Sequence, residues 1–473
     1  MRVPILFFLI LTSAVSIACA PQSQVIRATV AATQIGAGAP LYTATPTFSP
    51  TPTVTPTATP SPTRTPTPTP TSTATQTRTP TPVPTTALLT LTPASSEGAP
   101  PAVPALSAGL SASEGWTCGD FPCADDIVGF MLRIQVPPGF RLQHVGRFPG
   151  QPLQITYGPD GRLYAALLTD GARNGAVYAM DADGSSTLYA GPFVSPIGLA
   201  FQPGTDVLYV SARLTPTQGG GLWRVTGDGQ IETVLDNLPC CFQVIDNQPN
   251  GLVFGPDGYL YLGVGALTDH LEAAPEVARR QPFADLVPYE ASVLRIQPHT
   301  GVVEVYAEGI RNPYDLTFDA AGQFYATDNG LLSGPGDRLL ALTPGGHYGW
   351  PYWRNRGCAD CPLLRADITY QPDLLRFPDY TLPRGLVAYT AMQFPQNYFN
   401  TLFVALWNGR EGAQRIVNID PRAPSIGAEG YVPTPFVTGL IRPVDVALAP
   451  DGALVVADFI YGHIWRVSYI GAP

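Results

Sequence analysis

The chain has 473 residues, of which 45% are hydrophobic and only 13% are charged, a balance that suits a packed core and argues against a wholly disordered chain. Its net charge is −10 and it contains no lysine, which excludes a lysine nucleophile, a lysine Schiff base and a P-loop lysine. An acidic chain without lysine clusters is a poor nucleic-acid binder. We therefore expect no nucleic-acid partner, and we expect any cation aimed at a ligand to be arginine.

The first segment of the chain predicts export. Residues 3–17 are almost entirely apolar, and the stretch is too short to cross a bilayer comfortably. The sequence Ser-Ile-Ala-Cys that ends at Cys19 resembles a bacterial lipoprotein processing site, although Ser16 stands where leucine is usual. We interpret residues 1–19 as an export signal with Cys19 lipidated, and ordinary small-residue cleavage is the alternative. The expected location is the cell surface or the periplasm, with the membrane contacted only through the lipid anchor.

Residues 20–115 are typical of a low-complexity linker. Thr-Pro repeats fill residues 43–86 and leave no apolar face from which a core could form. Alternating proline favours an extended chain of the polyproline type. We expect a disordered Thr/Pro-rich stalk that holds the folded part away from a surface, or a linker with no specific role.

Residues 116–473 predict an all-β fold, a six-bladed β-propeller, with a helical period only at about residues 271–281. One motif recurs six times: an apolar strand, a turn that is often Pro-Asp-Gly, and a second apolar strand that ends in small residues. Such repeats favour a propeller, with a sandwich or a solenoid as alternatives. Residues 139–148 precede the first copy and are expected to close the ring as the outer strand of the last blade. The six copies span residues 155–166, 199–212, 252–263, 316–327, 388–405 and 446–457.

Polar residues recur where the innermost strands are predicted to begin. In a propeller these points surround the mouth of the central channel, so groups from six blades converge there and form the expected binding site. The alternative is that arginine and aspartate at the mouth pair with each other and serve only the fold. The polar residues concerned are Asn250, Arg311, Asn312, Asp315, Arg384, Arg442 and Asp445.

Three motifs occur in a fixed order in the second half of the chain: Arg-Asn-Pro at 311–313, Asp-Asn-Gly at 328–330, and Gly-Gly-His-Tyr-Gly-Trp-Pro at 345–351. This ordered set resembles the soluble quinoprotein sugar dehydrogenases, a family of six-bladed propellers similar to glucose, sorbosone and aldose sugar dehydrogenases. The resemblance extends over about residues 137–469. It implies pyrroloquinoline quinone (PQQ) and Ca²⁺ as cofactors.

The resemblance also implies roles for individual residues. Arg311 is expected to contact the quinone, where a guanidinium stabilises the negative charge that develops on hydride transfer. The lysine that helps to hold the cofactor carboxylates in glucose dehydrogenase is missing here, and Arg384 or Arg410 is the expected substitute. Asn312 and Arg442, in the matching motifs, complete the implied cofactor contacts.

The same resemblance places Ca²⁺ on two successive backbone carbonyls, those of Gly330 and Leu331. The family often has proline at the second position, but a carbonyl ligand depends little on its side chain. Asp337 falls where family members carry acidic residues after this loop.

The chain departs from the family at the general base. The family histidine lies five residues before Leu252, where this chain has Asn247, and an amide cannot accept the proton of a sugar hydroxyl. Asp246 matches a sugar-contacting aspartate of the family and is the candidate base, provided that burial raises its pKa. His270 and His347 are weaker substitutes.

Six cysteines remain after Cys19, in three close pairs, and an exported chain is expected to oxidise them. Cys118–Cys123 and Cys358–Cys361 predict small-loop disulfides. The adjacent pair Cys240–Cys241 predicts a vicinal disulfide or bridges elsewhere. If vicinal, it is either a rigid platform under a planar ligand or a loop staple.

Three hypotheses on function follow. The first is an exported, PQQ- and Ca²⁺-dependent sugar or aldehyde dehydrogenase that passes electrons to an external acceptor. The second is a catalytically inactive surface propeller that binds carbohydrate or another ligand, which the asparagine at position 247 favours. The third, weaker hypothesis is a lactonase-type propeller with one cation among Asp246, Asn312 and Asp445.

Overall fold

The structure is a computed structural model, and it describes residues 121–170, 174–241, 247–267, 287–330, 336–352, 365–408, 413–428 and 430–471. The predicted export signal, Cys19 and the Thr/Pro-rich linker lie outside these residues and stay predictions. Among the described residues, no helix is long and apolar enough to cross a membrane.

The described residues form a ring of six β-sheet units, here called blades 1 to 6. The first elements are α1 (Ile127–Arg133) and β1 (Phe140–Arg147). Blade 1 contains β2 (Gln151–Tyr157), β3 (Leu163–Leu168), β4 (Asn174–Met180) and β5 (Ser186–Val194). Blade 2 contains β6 (Leu199–Phe201), β7 (Leu208–Arg213), β8 (Gly220–Val225) and β9 (Ile231–Leu238), and one residue pair between β5 and β7 joins it to blade 1. Blade 3 contains β10 (Pro249–Phe254), β11 (Leu260–Val264), β12 (Ser292–Ile296) and β13 (Val303–Glu308).

The second half of the ring repeats this arrangement. Blade 4 contains β14 (Pro313–Phe318), β15 (Phe324–Asp328) and β16 (Arg338–Leu342); β17 (Gly346–His347) extends blade 3 parallel to β13, and β18 (Leu375–Arg376) completes blade 4. Blade 5 contains β19 (Pro383–Ala388), a short 3₁₀ helix (Gln396–Tyr398), β20 (Leu402–Leu406), β21 (Arg415–Ile419) and β22 (Thr434–Val437). Blade 6 contains β23 (Pro443–Leu448), β24 (Leu454–Asp458) and β25 (His463–Tyr469).

The ring is closed by the strand that precedes the first blade. β1 pairs antiparallel with β25 along its length, so the start of the propeller supplies the outer strand of blade 6. The innermost strands β2, β6, β10, β14, β19 and β23 contact one another in turn, and β23 contacts β2. The predicted six-bladed propeller and its closure by residues 139–148 are therefore confirmed.

The Pro-Asp-Gly turns fold for local reasons. Gly161, Gly258 and Gly452 have φ angles of 80°, 79° and 88°, a left-handed conformation that glycine adopts without steric cost. The turn aspartate also caps its own hairpin: Tyr261 Oη donates to Asp257 at 2.9 Å, and Arg295 of the next strand donates to the same carboxylate. A short local signal therefore predicts each hairpin.

Two local features differ from the sequence-based expectation. The sequence does not indicate helix α1, which is seven residues long, begins with Asp126 accepting from Gly129 N, and buries Phe130 against Trp465 of β25. The sequence predicts the fifth strand pair over 388–405, but its inner strand β19 ends at Ala388. The segment with a helical period, residues 271–281, lies outside the described residues.

Candidate functional site

Four of the six inner strands begin with a proline. Pro249, Pro313, Pro383 and Pro443 lie opposite the last residues of the neighbouring strands β11, β15, β20 and β24, and a register shift follows each of them. Proline suits the first position of a strand because its missing N–H costs no ladder bond there. In every blade a proline stands two residues before a matching position, which is occupied by Gln154, Gly198, Gly251, Asp315, Gly385 and Asp445.

Three of these residues, Gln154, Asp315 and Asp445, form a buried layer that we call the channel core. Gln154 Nε2 donates to Asp315 Oδ1 at 2.6 Å, and Gln154 Oε1 accepts from the first backbone N–H of β6 at 2.6 Å. Asp315 Oδ2 accepts from Leu386 N at 2.7 Å, and Asp445 Oδ2 accepts from Ile155 N at 2.6 Å. Each polar side chain therefore holds the backbone of a neighbouring blade, and the layer ties the ring together.

The two aspartates of the channel core are hydrogen-bonded to each other. Burial raises the pKa of Asp315, and burial followed by the adjacent Asp315 raises the pKa of Asp445, so the pair retains a proton above the pH at which an exposed aspartate loses its proton. The glycines at 251 and 385 provide the space, because a Cβ atom at either position would collide with one of the two carboxylates. The alternative that aspartate and arginine pair at the mouth is thus wrong for these aspartates.

Above this layer, four residues of blades 3 and 4 come together. Asn247 N donates to Asn312 Oδ1 at 3.1 Å, and Asn247 Nδ2 donates to Ala266 O at 2.8 Å. Ala266 N in turn donates to Arg311 O at 2.7 Å, and Arg311 Nη1 donates to Asn329 O at 3.1 Å. Arg311 is buried, and its guanidinium lies 5.9 Å from the ring centroid of Trp350. The chain therefore fixes Asn247, Arg311, Asn312 and Asn329 as one rigid group.

The loop that follows Asn329 is held by an acidic side chain. Asp337 Oδ1 accepts from Gly330 N at 2.9 Å, and Asp337 Oδ2 accepts from Leu382 N at 2.9 Å, next to the start of blade 5. Burial raises the pKa of Asp337, and these backbone hydrogen bonds act against that rise. Asp337 thus orients the backbone around Gly330, the residue expected to contribute a carbonyl to Ca²⁺.

A second group of cations comes from blades 5 and 6. Arg384 is buried, with its guanidinium 4.4 Å from the ring centroid of Tyr314 and 4.5 Å from that of Trp407. Arg442 Nη1 donates to Trp407 O at 3.3 Å, and burial lowers the pKa of Arg442. The sequence does not predict roles for Trp407, Tyr314 or Trp350, although Trp350 lies within the Gly-Gly-His-Tyr-Gly-Trp-Pro motif and Tyr314 directly follows Arg-Asn-Pro.

We call Asn247, Arg311, Asn312, Asn329, Arg384 and Arg442 the channel mouth. Within the described part of the chain, several of its buried polar atoms have no hydrogen-bond partner, among them Asn247 Oδ1 and both side-chain polar atoms of Asn329. Other such atoms lie on β25, at His463, Trp465 and Ser468. Buried amides without a partner are costly to a fold, so these groups are candidates for contact with a ligand.

The remaining predicted residues divide into two sets. Cys123 is disulfide-bonded, and the sulfur atoms of the adjacent Cys240 and Cys241 are bonded to each other. His347 lies at the outer edge of blade 3, on β17, and not among the mouth residues. Outside the described residues lie Asp246, His270, Leu331, Arg410, Cys118, Cys358 and Cys361.

The geometry bears on the choice of bound group. Asn312 Oδ1 accepts from Asn247 N and Asn250 Nδ2, while Asp445 is engaged in the channel core, so the described residues do not gather these two around a cation. In the described part of the chain, no group of three or more acidic, histidine or cysteine side chains is placed so that it could hold a metal ion. The three arginines and the unpartnered amides of the channel mouth match, in their chemistry, a planar ligand that carries carboxylates and carbonyls.

The family model named Glucose / Sorbosone dehydrogenase matches residues 230–459. One curated relative, an uncharacterized protein of Borreliella burgdorferi, is 26% identical over 201 residues, which cover 38% of this chain and 52% of the relative. The chain therefore spans about half the length of the curated relative that it matches.

Solved structures share the fold. A putative oxidoreductase (glucose dehydrogenase) of Thermus thermophilus is 22% identical, with a TM-score of 0.52 over 69% of this chain and 99% of that one. The PQQ-bound aldose sugar dehydrogenase of Streptomyces coelicolor is 20% identical, with a TM-score of 0.51 over 71% and 99%. The apo form of the soluble aldose sugar dehydrogenase of Escherichia coli is 17% identical, with a TM-score of 0.53 over 70% and 99%. The resemblance to the glucose/sorbosone dehydrogenase family that the motifs predicted is confirmed.

Proposed function

We propose that the protein is an exported, PQQ- and Ca²⁺-dependent dehydrogenase that oxidises an aldose or a related alcohol or carbonyl substrate and passes electrons to an external acceptor. The observation that carries this proposal is the channel mouth, where Arg311 and the unpartnered amide of Asn329 lie beside each other in a buried, rigid setting of the described residues. The family match over residues 230–459 supports the same reaction class.

The mouth residues offer groups whose chemistry suits the cofactor. Arg384 and Arg442 offer guanidinium groups that suit carboxylates, and their contacts with Tyr314 and Trp407 limit the entropy lost on binding. The carbonyl of Gly330, positioned by Asp337, would bind Ca²⁺ together with the carbonyl of Leu331. When bound, PQQ supplies the two-electron acceptor for the sugar carbon.

In this proposal the positive charge of Arg311 stabilises the reaction. Its guanidinium is fixed by Asn329 O and lies against Trp350, in a site from which water is largely excluded. A fixed cation in such a setting stabilises negative charge that develops on a carbonyl oxygen, and the loss of one such donor costs about 10²–10³-fold in rate.

The proton of the substrate hydroxyl requires another group. Asn247 has no basic nitrogen, and its Nδ2 is engaged by Ala266 O. We assign the role of base to the neighbouring Asp246, as the sequence suggested. Loss of a positioned base lowers the reaction rate about 10²–10⁴-fold. If Asp246 does not act as the base, we therefore expect a slow enzyme.

The test is titration of the full chain with PQQ and Ca²⁺, followed by dye reduction with a panel of aldoses. Arg311→Ala should lower the sugar-dependent rate about 10²–10³-fold. The matched control is Arg295→Ala, because Arg295 forms ion pairs with Asp257 and Glu304 in blade 3, away from the mouth. An Arg311→Ala variant that is as active as the control would overturn the proposed site.

A second candidate function is a ligand-binding propeller without dehydrogenase activity. Asn247 favours it, since the family base is replaced by an amide that the fold already uses. Binding of PQQ without sugar-dependent dye reduction across the panel would support this alternative over the first.

A further inference from the structure

A polar cavity lies outside the channel, at the outer edge of blade 3. Its volume is about 290 Å³, and it is lined by residues of the turn before β12, by β13, by β17 and by the segment around residues 365–368. Small-molecule sites typically measure about 300–1,000 Å³, so this cavity suits a ligand of about one ring. The polar and aromatic lining comes from Glu290, Ser292, Glu308, His347, Tyr352 and Arg365.

His347 presents a hydrogen-bond donor at this cavity. Its Nδ1 accepts from Gly349 N at 3.0 Å, and the Nδ1–Cε1 edge of the ring faces Gly309. Burial lowers the pKa of His347 to about 4, with Arg365 and Arg338 adding to the effect, so the ring is neutral at pH 7 and carries its hydrogen on Nε2. Within the described part of the chain no hydrogen bond uses Nε2, although only 7% of the residue is exposed.

The charges around the cavity disfavour an anion. Glu290 is almost fully buried and accepts from Leu267 N at 2.9 Å, and Glu308 lies on the exposed side. Arg365 is the cation of the lining, and it already forms an ion pair with Asp367. The cavity therefore combines carboxylate acceptors, an imidazole donor and a tyrosine ring. Its one lining cation is already ion-paired, so little positive charge is left to attract an anion.

We propose that this cavity binds one ring of a neutral carbohydrate. A sugar hydroxyl donates to carboxylates and accepts from an N–H group, and the apolar face of a sugar ring packs against aromatic and aliphatic side chains such as Tyr352 and Val305. A free carboxylate on the sugar would face Glu290 and Glu308. The inference rests on the proposed function in that it extends the sugar substrate class to a second site.

The cavity and the channel mouth share one stretch of chain. Trp350 lies beside Arg311 at the mouth, and Tyr352, two residues on, lines the cavity. Trp350 N donates to Gly309 O, and Tyr348 N donates to Glu308 O, so this stretch is fastened to the end of β13. A sugar in the cavity therefore lies against the segment that also carries Trp350, the ring beside Arg311.

The test uses the full chain without PQQ and measures binding of glucose, cellobiose and glucuronic acid by ligand-observed NMR and calorimetry. Val305→Trp should fill the cavity and weaken neutral-sugar binding at least tenfold; Val305 is 44% exposed, so the fold should tolerate the change. The matched control is Val302→Trp, because Val302 is 60% exposed and does not line the cavity. His347→Phe should weaken binding similarly, through loss of the Nε2 donor.

The outcomes separate this inference from the proposed function. Neutral-sugar binding that Val305→Trp weakens at least tenfold and that Val302→Trp retains would establish the cavity as a sugar site. Equal binding in Val305→Trp and wild type, or glucuronic acid binding as tightly as glucose, would overturn it. Either result leaves PQQ-dependent dye reduction, measured separately, to decide the dehydrogenase.

Discussion

The channel core and the channel mouth are built around the same inner strands, but they differ in whether their buried polar side chains are hydrogen-bonded. In the core, Asp315 and Asp445 accept backbone N–H groups from neighbouring blades and share a proton with each other. At the mouth, Asn329 is as deeply buried, yet neither of its side-chain polar atoms has a partner among the described residues. Buried polar groups that are satisfied stabilise a fold, whereas unsatisfied ones cost free energy unless a ligand meets them.

Residues close in sequence therefore differ in their expected roles, some serving the fold and others the binding of a ligand. Asp315 is three residues from Asn312 and four from Arg311, so closeness in sequence does not assign a role. What distinguishes them is their hydrogen bonding: Asp315 accepts from Leu386 N of the next blade, whereas Arg311 and Asn312 bond to other residues of the channel mouth. Substitutions in the core should therefore change stability, and substitutions at the mouth should change ligand binding.

The largest effect on stability is expected from Asp445→Ala. The change removes the acceptor of Ile155 N and the partner of Asp315, leaving both in a buried site, which should lower the free energy of unfolding by about 3 kcal/mol. Urea unfolding followed by tryptophan fluorescence measures it. The control is Asp451→Ala, because Asp451 is largely exposed and forms its ion pair with Arg466 at the surface, so its loss should cost less than about 1 kcal/mol. Equal losses for both variants would refute a special role of the core.

The core should also make stability fall as the pH rises. The folded pKa values of Asp315 and Asp445 lie above the ordinary value of 3.8, so their contribution to stability is full below about pH 4 and is lost as the pH rises through the raised values. The slope is at most about 1.4 kcal/mol per pH unit for each proton. Asp445→Asn keeps a neutral donor beside Asp315, so its unfolding free energy should fall less than that of wild type between pH 5 and pH 9. Parallel pH profiles for the two proteins would show that the shared proton is unimportant.

Elements of the fold that are specified by a short stretch of sequence could be predicted. Elements that depend on contacts between residues far apart in the chain could not. Pro-Asp-Gly turns such as the one at Gly258 specify their hairpins within a few residues. The start of the fifth blade was misplaced because the loop after β19 is held by Tyr389, whose hydroxyl donates to Gly452 O, 63 residues away. Helix α1 was not predicted because it is stabilised by Phe130 packing on Trp465 of β25, a strand near the other end of the sequence.

The structure brings three of the predicted site residues together, because Asn247 N donates to Asn312 Oδ1 and Arg311 directly precedes Asn312. The hydrogen-bond partners of the channel residues could not be predicted from the sequence. Nothing in the sequence indicates that Asp315 meets Asp445 instead of an arginine, since the contact exists only after six blades close into a ring. The unpartnered state of Asn329 is equally invisible in sequence, because it depends on what does not surround the side chain.

The smallest effect on stability, and the sharpest contrast with the core, is expected at Asn329. Because both side-chain polar atoms lack partners among the described residues, Asn329→Ala removes no side-chain hydrogen bond, and its unfolding free energy in the cofactor-free protein should equal or exceed that of wild type. Asn418→Ala is the matched control, since Asn418 Nδ2 donates to Thr401 Oγ1 at 2.7 Å and its loss should cost about 1 kcal/mol. With PQQ and Ca²⁺ the order should reverse: Asn329→Ala should bind PQQ about tenfold more weakly, and Asn418→Ala as wild type. If Asn329→Ala destabilised the free protein and left PQQ affinity unchanged, Asn329 would have a structural role. It would then have to be grouped with the channel core and not with the channel mouth.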